Sequence, residues 1–126
     1  MTKATQIFAG LAALLAAAGV AEAAAAAHAL ASPLLKTSSE FLLANAVGVV
    51  ALSAFAQTTV RASRLLCFGI AVLILGTLLF SGELTSHAIF PHSPLVMIAP
   101  IGGSLTILGW LISAAGLFTA PLHRRD

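Results

Sequence analysis

LLCFGIAVLILGTLLFSGEL, residues 65–84, carries one full charge, Glu83, near its far end. A helix needs about 20 apolar residues to cross the roughly 30 Å hydrocarbon layer of a bilayer, and this run meets that length. Inside lipid every backbone N–H and C=O must find an internal partner, which leaves helices and closed barrels. An unbroken apolar run lacks the period-2 alternation of a barrel strand, so it reads as a helix. Three further runs of similar length accompany it: Ile7–Leu30, Phe41–Val60 and Leu95–Ala120. The chain therefore reads as an all-α membrane protein with one domain, residues 1–126, of four transmembrane helices. Short joints make sequential helices antiparallel neighbours, which predicts an up-down-up-down bundle.

Composition supports the same class. Of 126 residues, 60% are hydrophobic and 8% charged, where a soluble domain carries about a quarter charged residues. The basic residues Lys3, Lys36, Arg61, Arg64, Arg124 and Arg125 fall at helix ends and form no stripe, so no nucleic-acid partner is expected. The single cysteine, Cys67, can form neither an internal disulfide nor a cysteine-based metal site, and reads as a small hydrophobe. Lys3, the first apolar run and Ala29-Leu30-Ala31 ahead of Ser32-Pro33 share features with a secretory signal. The run is about 24 residues, longer than the 7–15 of a signal core, so a retained first helix is expected.

Five of the six basic residues fall on one side of the bundle and only Lys36 on the other. The positive-inside rule then places both termini in the cytoplasm, in a bacterial inner membrane. Ser38 or Ser39 ahead of Glu40 predicts the start of the second helix. Pro94 and Pro100 offer two starts for the fourth, the earlier one with a kink at Pro100.

Small residues mark the expected packing faces. In the fourth segment Gly102, Thr106, Gly109, Ser113, Gly116 and Ala120 alternate spacings of four and three, which puts them on one helix face. Gly69, Gly76 and Glu83 recur every seven residues in the third, as do Ala12, Gly19 and Ala26 in the first. The second offers Ala44, Gly48 and Ala51. Helices in lipid associate through close van der Waals approach at such residues, so an intimate bundle is predicted.

The polar residues inside the apolar runs are the candidates for function. Glu22 stands about 13 Å along the helix from the expected end of the first segment. A carboxyl group there must be paired, protonated or hydrated, and is a functional candidate by default. His28 and Asn45 read as lying at similar depth, close enough to clasp across the first two helices. Glu83, His87 and His92 have donor chemistry suited to zinc or copper, but three ligands spread over a Pro-containing loop are only a weak signal, so they stand as weak candidates and no metal is expected. No nucleotide-binding glycine loop, nucleophile motif or pair of haem-binding histidines is apparent. A non-enzymatic protein without cofactor is expected; a bound lipid or quinone at the His28/Asn45 end is compatible with the residues.

Ala27-His28-Ala29-Leu30, Leu79-Phe80-Ser81-Gly82, Pro100-Ile101-Gly102-Gly103 and Gly109-Trp110 follow one another in a characteristic order. Together they resemble the small four-helix membrane proteins of domain of unknown function 423, a family that includes transmembrane protein 256 of animals. The resemblance runs from about Leu11 to Ala115 and implies the four-helix fold without supplying an activity. Family members usually carry a glycine-rich approach to His28, a histidine where Asn45 stands and an apolar residue where Glu22 stands. The combined expectation is an accessory or structural subunit packed against a larger inner-membrane complex, a respiratory one being the candidate. Its partners would be membrane lipids and other membrane-protein subunits. The alternative is a small oligomeric transporter or proton-linked channel that uses Glu22.

Overall fold

The computed structural model describes residues 2–59 and 63–121. Four helices fill them: α1 (Lys3–His28), α2 (Pro33–Ala56), α3 (Ser63–Ile89) and α4 (Ile98–Thr119). Each is long and apolar enough to cross a membrane. Their 22 to 27 residues correspond to about 33–40 Å, more than the hydrocarbon layer alone. The helix ends therefore have room for polar residues at headgroup depth. Arg61, Arg124 and Arg125, on which the expected orientation rests, lie outside the described residues.

Two helix starts differ from expectation, both because of proline. α2 begins at Pro33 behind Ser32, well before Glu40. Proline suits a first turn, where its missing N–H would have no helical partner. Ser38 and Ser39 consequently lie inside α2 and are buried. α4 begins at Ile98, between the two expected starts, with Met97 ahead of it in the left-handed region at φ 64°. Pro100 falls within the first turn, so its ring breaks no helical hydrogen bond. At the other end of the molecule Thr2 caps α1, its hydroxyl accepting the Thr5 N–H at 3.3 Å.

The helices pack in chain order, α1 on α2, α2 on α3 and α3 on α4, with a slight contact between α1 and α3. A cluster of Ala12, Val49, Leu52, Ala56, Leu66, Ile70, Leu73 and Ile74 forms the core of the first three helices. On α2 the expected small-residue face is displaced: Ala44 and Ala51 are exposed, while Leu42, Ala46, Val49 and Ser53 are buried. α2 touches neighbours on two flanks, and its mixed leucine, valine and serine line fills both. On α1 Ala12 and Gly19 are buried as part of a seven-residue repeat that starts at Thr5, and Ala26 is half-buried.

The α3–α4 seam is the closest contact of the fold. Gly102, Thr106, Gly109, Ser113 and Gly116 are buried along α4, facing buried Gly69 and Gly76 on α3. A Cβ at Gly69 would lie 2.9 Å from the Ser113 backbone nitrogen, and one at Gly109 2.7 Å from that of Leu73. Backbone thus meets backbone, an approach that only glycine permits. The two threonine hydroxyls are satisfied within their own helices, Thr77 donating to the Leu73 carbonyl at 2.7 Å and Thr106 to that of Gly102 at 2.9 Å, whereas the buried Ser113 hydroxyl has no partner.

Candidate functional site

The polar residues concentrate at the end of the bundle that carries the α1–α2 turn. Glu22 sits about 9 Å before the end of α1 and Thr85 about 6 Å before the end of α3. These two helices run in the same direction, so the side chains share a depth. The Thr85 hydroxyl donates to Glu22 Oε1 at 2.5 Å. Ser38 of α2 stands 3.2 Å from the Thr85 hydroxyl and 3.4 Å from the Ser81 carbonyl oxygen. The Thr85 proton is committed to Glu22, and the single Ser38 proton has two acceptors in reach, the Ser81 carbonyl and the Thr85 hydroxyl. The other carboxylate oxygen, Glu22 Oε2, and the Ser81 hydroxyl are buried without a hydrogen-bond partner. Glu22, Ser81, Thr85 and Ser86 border an open groove of about 380 Å³ between α1, α2 and α3.

A second cluster joins α3 to α4. Because α3 continues to Ile89, Glu83 and His87 share a face and lie 3.5 Å apart. Glu83 Oε2 accepts the Ala99 N–H in the first turn of α4, where orphan amides and the helix dipole favour an anion. The His87 ring bonds the Leu95 carbonyl at 2.6 Å. The Leu95 N–H, on the near side of the left-handed Met97, is held by Ser93 at 3.3 Å. Sequence reasoning placed Glu83 and His87 among weak metal candidates and missed this helix-capping role. His92 is exposed in the loop, and among the described residues no three His, Cys, Asp or Glu side chains come close enough to hold a metal ion.

The expected His28–Asn45 clasp does not form. The early start of α2 puts Asn45 about 18 Å along the axis from that helix end, while His28 is the exposed last residue of α1. Asn45 instead donates to the Phe41 carbonyl at 2.9 Å and accepts the Trp110 indole N–H at 2.9 Å. Trp110 reaches it from α4 over Gly48, where any Cβ would strike the indole ring. Trp110→Phe should therefore leave the Asn45 oxygen unpaired and cost about 1 kcal/mol, measured as a lower midpoint of reversible unfolding in mixed micelles.

One further groove, about 730 Å³, lies along the α1–α2 turn. Ala23, Ala26, Ala27 and Leu43 line it, with Lys36 and Glu40 at its margin. Neither His28 nor Asn45 contributes to it.

Four apolar spanning helices around a small polar cluster define a polytopic all-α integral membrane protein. The profile of the family described as "Protein of unknown function (DUF423)" matches residues 22–103, and the chain belongs to that family. It is 35% identical over 69 residues to a UPF0382 membrane protein of Haemophilus influenzae. That alignment covers 55% of this chain and 56% of the relative, so the chain spans about half the length of the curated protein it matches. No solved structure matches. Of the residues that carry the family resemblance, Phe80, Gly102, Gly103 and Gly109 lie where α3 meets α4. Gly102 abuts the α3 backbone, and the Phe80 ring lies over Gly103 and 4.2 Å from that of Phe41.

Proposed function

We propose that this protein is a non-enzymatic accessory subunit that packs α1 against a larger inner-membrane assembly, with both termini cytoplasmic. The observation that carries the reading is the surface of α1. Its packed face is a narrow line of Thr5, Ala12 and Gly19. On the opposite side Gly10, Ala13, Ala17, Ala21 and Ala24 form a second small-residue stripe, all exposed. A Cβ at Gly10 would meet nothing within 4 Å. Alanine and glycine give acyl chains little to grip, whereas they let another helix approach closely. α4 turns Ile101, Ile107, Leu111 and Phe118 outward, side chains suited to lipid, as α1 does with Ile7, Leu14 and Val20 beside the stripe.

A bulky side chain on that stripe tests the reading. Ala17→Leu should leave the four-helix fold intact, because Ala17 is exposed, and release the tagged protein from its assembly in mild detergent. Retention of the assembly by Ala17→Leu would contradict the role of α1. A respiratory complex is the candidate assembly, and the composition of the co-purifying subunits decides that point. A second reading, a small oligomeric transporter or proton-linked channel, is favoured by the Ser38–Thr85–Glu22 cluster. It requires Glu22→Gln to abolish ion flux in proteoliposomes without loss of helicity.

A further inference from the structure

We infer that the open groove between α1, α2 and α3 binds a lipophilic monocation, an apolar body bearing one protonated amine, with Glu22 as its counter-ion. This does not rest on the accessory-subunit reading, which concerns the opposite face of α1. Three observations carry it. Glu22 satisfies only one carboxylate oxygen, through Thr85, and leaves Oε2 buried without a donor. Among the described residues no Lys, Arg or His forms an ion pair with it. A carboxyl group at that depth must be paired, protonated or hydrated, and a cationic donor to Oε2 would supply both the missing hydrogen bond and a compensating charge.

The walls specify the remainder of the ligand. Leu15, Leu42, Leu78, Ile89 and Phe90 make the groove predominantly apolar, and its volume of about 380 Å³ falls in the range of small-molecule sites. Gly82 widens it, since a Cβ there would meet nothing within 4 Å. The unpartnered Ser81 hydroxyl supplies an additional acceptor beside Thr85. An amine N–H gives Oε2 its missing partner, and the charge answers the carboxylate. The apolar body lies against leucine and phenylalanine. A fully hydrated inorganic cation fits these walls poorly, and an anion is excluded by Glu22.

The test uses the purified full chain in lipid nanodiscs with dibenzylammonium as the probe and dibenzyl ether as its neutral isostere. Saturable dibenzylammonium binding, with the ether weaker by about tenfold or more, is the expected result. Glu22→Gln should weaken amine binding by a similar factor, and Glu22→Asp, which keeps the charge, should retain part of it. Equal binding of amine and ether, equal binding to Glu22→Gln, or no saturable binding of the amine would overturn the proposal. If Glu22→Gln does not fold, the amine–ether comparison on the wild-type chain decides it alone.

Discussion

Gly76→Val is expected to destabilise the protein by about 3 kcal/mol or more, or to abolish accumulation of the folded chain. A Cβ at position 76 would lie 2.5 Å from the Thr106 backbone nitrogen, 2.6 Å from its hydroxyl and 2.8 Å from the Gly102 carbonyl oxygen. Two of those three atoms belong to backbone, which cannot swing aside as a side chain can. The helices must therefore separate, and the whole seam loses contact because packing in lipid has little hydrophobic gain to replace it. Gly82→Ala is the matched control on the same helix. Its Cβ enters open space, and alanine favours helix over glycine, so stability should stay level or rise by up to about 1 kcal/mol. Unfolding of both variants by denaturing detergent, followed by far-UV circular dichroism, measures the contrast.

Glu83→Ala is the second large effect, an expected loss of about 2–3 kcal/mol from one exposed-to-buried junction. The carboxylate holds the first turn of α4 through the Ala99 N–H and sits 3.5 Å from His87. Removing it orphans that amide and leaves His87 without its acidic neighbour. It also frees a loop that includes Met97 in the left-handed region, which a non-glycine residue adopts at a cost. Amide hydrogen exchange should report the loss locally, with faster exchange in the first turn of α4 and little change along α1. Protection that drops evenly over all four helices would contradict a capping role and indicate a core role instead.

The contrast between the two sites explains what a single chain discloses. The seam of α4 is legible because a helix face is fixed by local spacing alone: Gly102, Thr106, Gly109, Ser113 and Gly116 align whatever surrounds them. The number of helices is legible for a similar reason, since the bilayer sets a minimum apolar length. The start of α2 was obscured because Ser38 or Ser39 ahead of Glu40 offers a second set of capping residues, whereas the helix starts at Pro33 behind Ser32. Pro33 is a valid first-turn residue, and the polar turns after it stand at headgroup depth rather than outside the helix. That shift moved Asn45 away from His28 and towards Trp110. The capping of α4 by Glu83 was not legible at all, because it depends on how the loop after Ile89 folds back. Likewise Glu22 stood out as an intramembrane acid, but its partner Thr85 lies 63 positions later, and no local pattern joins them.

The most direct measurement is the native mass of the tagged protein after mild-detergent extraction from its own membrane, followed by mass spectrometry of the band. Co-migration with a large assembly at fixed stoichiometry, lost in Ala17→Leu, is the predicted result. Migration as a monomer or small homo-oligomer, unchanged in Ala17→Leu, would contradict the accessory role and shift the weight to Glu22.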